Sequence, residues 1–372
     1  MIIFYSWDEG LEMRERNVGK SPCLKLSKAL GQLGIRVIGE LELLNNDFKI
    51  GRNGDHLLIP LLREPSETEY SLLKEKLQHF EMVTVAMVKD LKEPRTAFDV
   101  LKDQLAPHQL ASLPKSIDII GEVGIVELPE ELHGLEATIG DAFLRTNKKL
   151  RTILAKVGPV TSDKRLRQLR VIAGSGETET THREYGCVFR VDVTKVYFSP
   201  RLSHEHCRVA SQVQQNEVVI DLFAGVGPFA IQIARRTQNV HVYAIDVNED
   251  AVRYLRQNVR LNKVDDGITV LSGDARAIVR SELVGKGDRI IMNLPAQAVR
   301  YVDVACLALK PAGGVIHYYT FGSDPNPLKK VEAELLQAVS KTGRSFEKVL
   351  DSRLVKGSAP HEWLIAVDGL VR

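Results

Sequence analysis

The glycine-rich stretch at residues 221–230, Asp-Leu-Phe-Ala-Gly-Val-Gly-Pro-Phe-Ala, constrains the fold of this chain more than any other feature. The apolar residues 218–220 precede it, and a segment with helical character follows from Ile231. A buried strand, a glycine turn and a helix in this order form the usual cradle for a nucleotide-like ligand. The turn also satisfies the dinucleotide pattern G-x-G-x-x-G/A, so by itself it leaves a nicotinamide enzyme open.

Polar residues follow the next three predicted strands of this C-terminal part. One strand ends at Asp246, which is 21 residues after Gly225, another leads to Asp274, and the last stops at Asn293. Because the carboxyl ends of parallel strands meet at one edge of a sheet, we expect these side chains to lie together. A single residue of this kind is often only a helix cap or a turn former, but four strands that all end in this way favour a binding site.

The order of these residues indicates the kind of cofactor. An acid at position 246 can accept hydrogen bonds from both hydroxyls of a ribose, and Asp274 would then lie near an adenine ring. The sequence Asn293-Leu-Pro295 would lie beside the reacting atom. This order is typical of S-adenosylmethionine-dependent methyltransferases, so we expect a doubly wound, Rossmann-like α/β sheet that binds S-adenosyl-L-methionine.

Composition places the chain among ordinary globular proteins. Its 372 residues are too many for one typical domain, and its net charge of +2 decides nothing about nucleic acid. The four cysteines are scattered without a Cys-x-x-Cys pair, which predicts a reducing compartment and no metal site. No apolar run approaches the roughly 18 residues of a membrane span. We therefore expect a cytoplasmic monomer that has no membrane partner.

A strongly basic segment, called here the basic belt, covers residues 145–170. It contains nine Lys and Arg residues and one acid, Asp163. Such a segment is either the solvated face of a helix or a surface for a phosphate backbone, and its position beside a cofactor domain favours RNA. The predicted RNA-binding residues are Arg145, Lys148, Lys149, Arg151, Lys164 and Arg167.

Three parts are expected along the chain. A small N-terminal domain is predicted at residues 1–70, a middle α+β domain with the basic belt at residues 71–195, and the cofactor domain at residues 196–372. The polar, proline-containing stretch that starts at Arg63 separates the first two parts. The cofactor domain alternates strands and helices and ends with two strands, which we expect to pair antiparallel at the sheet edge.

Local patterns predict elements in the first two parts. In the small domain, we expect a helix at residues 24–33 and a short strand at residues 35–38. In the middle domain, we expect a strand-like stretch at residues 117–128, a helix through residues 142–157, and a strand pair at residues 184–188 and 189–193.

Five separated blocks resemble the archaeal and eukaryotic tRNA (guanine-37-N1)-methyltransferase family, whose catalytic domain is doubly wound. The blocks lie at residues 181–187, 191–202, 221–229, 293–295 and 314–319. The resemblance implies a class I methyltransferase domain, preceded by an α+β middle domain and a small α+β domain that contacts RNA. It also implies a tRNA with guanine at position 37 as the substrate.

The chemistry of guanine also bears on which of its atoms is methylated. N1 of guanine carries a hydrogen at neutral pH, so its methylation requires a general base together with a sulfonium donor. Enzymes that methylate exocyclic amines have an aromatic residue at the end of Asn-Pro-Pro-aromatic, whereas Ala296 ends the corresponding run here. The sequence therefore favours a ring nitrogen, and Tyr197 is a candidate for stacking on the base.

The resemblance implies the catalytic residues. Glu205 matches the proton acceptor of the family, Arg165 matches the arginine that faces the guanine O6, and Asn293 and Pro295 belong to the reacting edge. A carboxylate is a weak base in water, so partial burial would have to strengthen Glu205 as a base. Two alternatives stay open: Glu205 as a cap or salt-bridge partner of the helix predicted at residues 206–213, and Arg165 as one more phosphate contact.

The cofactor-binding residues are implied by the resemblance and by their positions at strand ends. They are His206, Phe223, Gly225, Asp246, Val247, Asp274, Ala275 and Asn293. His206 stands where archaeal members often have arginine, so contact with the cofactor carboxylate could be weaker or sensitive to pH.

Rival functions are an aminocarboxypropyl transferase or a second-site methyltransferase of wyosine synthesis, and a tRNA-binding protein without turnover. The sequence Asn293-Leu-Pro argues against the aminocarboxypropyl transferase. The joint presence of Glu205, Arg165 and Asn293 argues against mere binding.

Overall fold

The structure is a computed structural model that describes residues 18–90, 94, 96–158, 168–323, 325–359 and 361–372. The chain divides into two compact units, Met1–Pro94 and Arg95–Arg372. Among the described helices, none is both long and apolar enough to cross a membrane.

The first unit is a four-stranded sheet with two helices. Its strands lie in the order β2-β3-β1-β4, and β1 is central because it pairs antiparallel with both β3 and β4. The core contains Leu24 and Leu26 from the strand and Val37 and Ile38 from the first helix. The elements are β1 (Val18–Ser27), α1 (Gly31–Glu40), β2 (Gly51–Asn53), β3 (His56–Pro60), α2 (Glu67–Leu77) and β4 (Glu81–Val88).

Two secondary-structure predictions for this unit need correction. The helix predicted at residues 24–33 is only partly helical: residues 24–27 belong to β1, where Leu24 and Leu26 alternate with the less buried Lys25, a 3-10 turn follows at Lys28–Leu30, and α1 begins at Gly31. The strand predicted at residues 35–38 is wrong, because it lies within α1, whose buried positions recur every three or four residues. The compact unit continues past the small domain predicted at residues 1–70 and extends to Pro94, because β4 pairs with β1.

The second unit begins with a smaller sheet, in the strand order β5-β6-β7-β8. The helix predicted through residues 142–157 ends at Thr146. A turn follows, and Thr152–Lys156 form β7, a buried strand between β6 and β8. The elements are α3 (Ala97–Leu101), α4 (Pro107–Ala111), β5 (Asp118–Ile120), β6 (Val123–Val126), α5 (Glu136–Thr146), β7 (Thr152–Lys156) and β8 (Leu169–Gly174).

A seven-stranded sheet forms the rest of the unit, in the order β13-β12-β11-β14-β15-β17-β16. Strands β11 to β15 are parallel, while β17 pairs antiparallel with both β15 and β16. The elements are β9 (Glu179–Glu184), β10 (Cys187–Asp192), α6 (Ser203–Gln212), β11 (Val218–Asp221), α7 (Pro228–Arg236), β12 (His241–Asp246), α8 (Glu249–Asn262), β13 (Ile268–Ser272), α9 (Ala275–Ile278), β14 (Arg289–Met292), α10 (Val302–Ala308), β15 (Gly314–Ser323), α11 (Pro327–Ser340), β16 (Phe346–Ala359) and β17 (Glu362–Val371).

This topology confirms the doubly wound α/β sheet and the antiparallel pair at its edge. The central strands β11 and β14 are buried almost throughout, which explains their unbroken apolar sequences. The chain reverses from β11 into α7 through Gly225 and Gly227, both at positive φ, and Pro228 opens the helix. A Cβ at Gly227 would lie 2.3 Å from Cδ1 of Leu255, so this turn requires glycine.

The hairpin β9–β10 joins the large sheet through α8. The amide of Asn258 bonds the backbone of Arg190, and the amide of Asn262 bonds the backbone of Val188. The boundary predicted at residue 195 therefore does not separate compact units, because residues 95–372 form one unit.

Candidate active site

A cavity opens at the carboxyl edge of the parallel strands. It is lined by the loop after β11, the ends of β12 and β14, and the turn after β13. The eight predicted cofactor residues all line it: His206, Phe223, Gly225, Asp246, Val247, Asp274, Ala275 and Asn293. These residues are far apart in sequence, but most of them follow parallel strands that end side by side, so the topology brings them to one cavity.

The carboxylate of Asp246 is fixed by the backbone around it. Its Oδ2 accepts a hydrogen bond of 2.7 Å from the amide of Gly225, and its Oδ1 accepts one of 2.8 Å from the amide of Asn248. Carboxylate oxygens are hydrogen-bond acceptors, the kind of group that the hydroxyls of a ribose require.

The glycine turn leaves room beside that carboxylate. A Cβ on Gly225 would find only the carbonyl oxygen of Tyr197, at 4.0 Å, so this wall of the cavity is open. The open wall and the fixed acid fit an adenosyl group whose ribose bonds Asp246.

An aromatic pair also lines the cavity. The rings of Phe223 and Tyr301 meet edge to face with centroids 5.0 Å apart.

Asp274 also caps α9, since its Oδ1 accepts a bond of 2.9 Å from the amide of Ala277. The sequence analysis missed Tyr301 and Asn248 as lining residues. Asn248 follows Asp246 by two residues, and that spacing was the available signal.

The first acid of the glycine-rich stretch lies behind the cavity. Asp221 is fully buried, and its Oδ2 has no hydrogen-bond partner among the described residues. Burial raises the pKa of Asp221 to about 7, and the nearby Asp246 adds to that effect. The carboxyl group therefore exchanges a proton near neutral pH.

A second cavity adjoins the first. Tyr197 and Asn293 line both, and Pro295 lines the second. Thr320 donates a hydrogen bond to the Pro295 carbonyl, which ties the Asn-Leu-Pro turn to β15. The two cavities thus share the residues predicted to face the reacting base.

The second cavity also contains basic residues that the sequence analysis did not assign to the site. They are Lys115, Lys156, Arg201 and Lys356. Two of them are ion-paired within the protein, Arg201 with Asp118 and Lys156 with Glu127, each at 2.6 Å. Arg201 belongs to one of the blocks of family resemblance, which was the one signal in the sequence.

Glu205 lies in the first turn of α6 and outside the described lining of both cavities. It is 5% exposed. Its carboxylate accepts hydrogen bonds from Arg208, at 2.9 Å from Nη2, and from the hydroxyl of Tyr319, also at 2.9 Å. The helix predicted at residues 206–213 begins earlier, at Ser203, so Glu205 is a helical residue.

These bonds belong to a buried network that extends to β15 and β17. Arg208 also pairs with Asp368, which accepts a bond of 2.6 Å from His317. Burial alone would raise the pKa of Asp368, but the bonds from His317 and Arg208 outweigh it and lower that pKa well below its usual value. Burial, with the Glu205 carboxylate nearby, raises the pKa of Tyr319 far above its usual range. The network therefore fixes a hydroxyl and a guanidinium against Glu205.

The basic belt is only partly described. Arg165, Lys164 and Arg167 lie outside the described residues. Arg145, Lys148 and Lys149 are exposed at the end of α5 and in the turn after it.

In the folded chain, glutamates pair with the remaining described Lys and Arg residues of the basic belt. Arg151 pairs with Glu122 and Glu177, Lys156 with Glu127, and Arg170 with Glu136. The excess of positive charge in the sequence is therefore partly neutralised in the structure.

The doubly wound sheet, the glycine turn and the acid after the second strand define a class I methyltransferase that uses S-adenosyl-L-methionine. Three family profiles match the chain. They are described as TRM5/TYW2 methyltransferase domain over residues 180–345, TYW2 N-terminal domain over residues 98–178, and tRNA methyltransferase 5 N-terminal domain over residues 23–69.

Individual relatives agree with these profiles. The chain is 38% identical to tRNA (guanine(37)-N(1))-methyltransferase Trm5b of Pyrococcus abyssi, over 91% of this chain and 95% of the relative. It is 33% identical to tRNA 4-demethylwyosine(37)-methyltransferase Taw21 of Saccharolobus solfataricus, over 68% and 93%. The solved complex of aTrm5 and tRNALeu covers 94% of this chain and 99% of its own, with 32% identity and a TM-score of 0.78. The chain belongs to the Trm5 family of tRNA (guanine(37)-N(1))-methyltransferases.

Proposed function

We propose that the protein transfers the methyl group of S-adenosyl-L-methionine to N1 of guanine 37 in tRNA. The observation that carries this proposal is the pair of adjoining cavities that share Tyr197 and Asn293. One cavity fits the adenosyl group, and the other offers space for a base beside the end of the cofactor that carries the methyl group. Membership of the Trm5 family supports the choice of substrate.

The base must leave its stack to reach this place. A nucleotide beside the anticodon stacks within its loop, so the enzyme binds it splayed out and pays a few kcal/mol of unstacking. Tyr197 would stack on the extruded base, and Asn293 would orient it at the boundary of the two cavities. Transfer is then an in-line displacement at the methyl carbon, accelerated mainly by the positioning of N1 against the sulfonium.

Glu205 is proposed as the general base that takes the N1 proton. Its position supports this role, because the next residue of α6, His206, lines the cofactor cavity. In the ligand-free arrangement its oxygens face Arg208 and Tyr319. Proton transfer requires one oxygen to turn from these donors toward the second cavity, so we expect tRNA binding to rearrange this side chain.

Arg165 is proposed to bind O6 of the guanine. As the N1 proton leaves, negative charge spreads onto O6, and a guanidinium at that oxygen stabilises the transition state more than the ground state. The exposed residues Arg145, Lys148 and Lys149 are proposed to contact the phosphate backbone. We also propose that the N-terminal unit contacts the tRNA and that the active form is a cytoplasmic monomer.

The test is methyl transfer from radiolabelled S-adenosyl-L-methionine to two tRNA transcripts that differ at one nucleotide. We expect label in the transcript with guanine at position 37 and background label in the transcript with adenine there. Equal labelling of both transcripts would contradict the assignment of the target base.

A second candidate is methylation of 4-demethylwyosine at the same position, because the Taw21 relative is 33% identical over 68% of the chain. Mass spectrometry of modified tRNA separates the two reactions when both substrates are offered. The same measurement distinguishes a methyl group from an aminocarboxypropyl group, so it also tests the third candidate reaction.

A further inference from the structure

The guanidinium of Arg208 lies between two buried carboxylates. Its Nε and Nη2 lie 3.0 and 2.9 Å from Oε2 of Glu205, while Nη1 and Nη2 donate to the two oxygens of Asp368. The Arg208 side chain is 12% exposed, and those of Glu205 and Asp368 are 6% and 2% exposed. One buried cation is thus shared by two acids, and one of these acids is the proposed general base.

The Asp368 carboxylate is also held from its other side. Nδ1 of His317 donates to its Oδ1 over 2.6 Å, and the side-chain amide of Gln212 donates to its Oδ2 over 3.2 Å. Each oxygen of Asp368 therefore accepts hydrogen bonds both from Arg208 and from a second residue. A carboxylate fixed in this way can keep the guanidinium in one position.

His317 is a neutral donor in this network. Its Nε2 lies 2.9 Å from Nη1 of Arg289, and a guanidinium can only donate, so Nε2 accepts the bond and Nδ1 carries the ring proton. Burial lowers the pKa of His317, although the Asp368 carboxylate opposes that shift, in agreement with the neutral state. Because His317 is neutral, Arg208 supplies the positive charge that balances Asp368.

The charge of Glu205 changes in the proposed reaction. One of its oxygens must turn away from Arg208, and the carboxyl group becomes neutral when it takes the N1 proton. Removing one partner of a buried ion pair is strongly unfavourable when the other charge stays uncompensated. A third acid, Asp351, lies 3.6 Å from Nη1 of Arg208, but it is less buried and pairs with Arg353. Asp368 is therefore the acid that can keep Arg208 neutralised.

We propose that Asp368 is a positioning residue for methyl transfer, which keeps the Arg208 guanidinium paired and in place while Glu205 turns to the guanine and takes its proton. The inference rests on the proposed function, because it takes Glu205 as the general base. Without the Asp368 charge, Glu205 would be the main counter-ion of Arg208, and its departure would leave the guanidinium poorly compensated.

The first test is Asp368→Asn, which preserves size and removes the charge. We expect the single-turnover rate of methyl transfer to a tRNA transcript with guanine 37 to fall about 10- to 100-fold, since Glu205 leaves Arg208 less easily. Asp368 lies outside the described lining of both cavities. Calorimetry with S-adenosylhomocysteine and filter binding of tRNA should therefore show affinities within about twofold of the parent.

A second substitution distinguishes this role from a structural one. In Arg208→Gln/Asp368→Asn the cation that retains Glu205 is gone as well, so the double variant should transfer methyl groups about three- to tenfold faster than Asp368→Asn alone. A residue that only supports packing gives the opposite result, because a second substitution in the same network then adds damage. Equal or slower turnover of the double variant would overturn the proposal.

Glu217→Gln is the matched control. It is the same exchange of an acid for its amide, in the same network, because Glu217 accepts a bond of 3.0 Å from Arg289. It is separated from Asp368 by both Arg289 and His317. We expect Glu217→Gln to lower the melting temperature, as Asp368→Asn does, and to keep turnover within about twofold of the parent. A loss of turnover equal to that of Asp368→Asn would mean that general loosening of the network is the cause.

Glu205→Gln separates failure of this inference from failure of the proposed function. If Glu205→Gln keeps near-parental turnover, the general-base assignment fails, and the role of Asp368 fails with it. If Glu205→Gln is impaired while Asp368→Asn turns over like the parent, only the role of Asp368 is overturned. Impairment of both variants, together with the faster double variant, supports the proposal.

Discussion

The cofactor cavity and the surroundings of Glu205 differ in how they are built. In the cavity, Gly225, Asp246 and Asn293 follow strands of one parallel sheet, and backbone amides fix the acid. Glu205 lies on a helix, and side chains from three other positions hold it: Arg208, Tyr319 and, at 3.8 Å, Arg353. The first region is ready for its ligand, while the second must rearrange before it can act as proposed.

The largest effect on turnover is expected at Glu205, whose side chain must rearrange before it can act as proposed. Glu205→Gln preserves size but removes the proton acceptor, so turnover should fall about 10²–10⁴-fold. Cofactor affinity should stay within twofold of the parent, since Glu205 lies outside the cofactor cavity. Single-turnover methyl transfer and calorimetry measure the two quantities. Near-parental turnover would remove Glu205 from the mechanism.

For Arg165→Ala we also expect turnover and binding affinity to change by different amounts. Losing one donor to a developing oxyanion costs about 10²–10³-fold in rate. Turnover should therefore fall more than tRNA affinity, which filter binding measures. The opposite pattern would make Arg165 a phosphate contact of the basic belt.

For a substitution in the cofactor cavity, we expect a change in cofactor affinity and not in turnover. Asp246→Ala removes the charged acceptor for the ribose, and the dissociation constant for S-adenosylhomocysteine should rise about 10- to 100-fold. Turnover at saturating cofactor should change much less. A variant that loses turnover at saturation but keeps affinity would show that the two regions are not separable.

A smaller effect is expected at Tyr319, whose hydroxyl donates to Glu205 over 2.9 Å. In Tyr319→Phe the carboxylate loses one of the donors that fix its orientation, so turnover should fall about three- to tenfold, while cofactor affinity stays unchanged. Single-turnover methyl transfer measures the effect. Parental turnover would mean that the hydroxyl does not position Glu205.

The smallest effect concerns stability. Burial raises the pKa of Asp221 from its usual value of 3.8 to about 7 in the folded protein, so the protonated carboxyl contributes stability that is present below pH 3.8 and lost as pH rises through 7. Asp221→Asn avoids that loss. It should melt a few degrees above the parent at pH 8, a gain of about 1–3 kcal/mol, and equal to it at pH 4. A constant difference at both pH values would contradict titration of this carboxyl.

Prediction from sequence is most direct where backbone position places a residue. The eight residues predicted to bind the cofactor line one cavity, and seven of them lie at or just after strand ends, which are recognisable in sequence and meet at a common edge. It remains a prediction that they bind the cofactor. Prediction failed where apolar residues suit more than one element. The segment at residues 24–33 has the composition of a helix, yet pairing with β3 and β4 makes its first four residues part of a strand, and the α-helix begins only at Gly31.

The pairing of charges could not be predicted from the sequence either. The basic belt shows one acid against nine basic residues in sequence, but Glu122, Glu127, Glu136 and Glu177 reach its described members from other segments. Glu184 was likewise only part of a family motif until the hairpin placed it against His206. Ion pairs between distant segments have no local signature, so only the folded chain reveals them.

The sequence by itself determined the doubly wound sheet, the glycine turn and the acid at Asp246, because periodicity and strand ends are local properties of the chain. Only the tertiary structure decided which charges are neutralised, that Glu205 is held by Arg208 and Tyr319, and that His206 has a buried acid as its partner. The orientation and charge of a buried side chain depend on groups that the fold brings together, and their separation in sequence does not encode that contact.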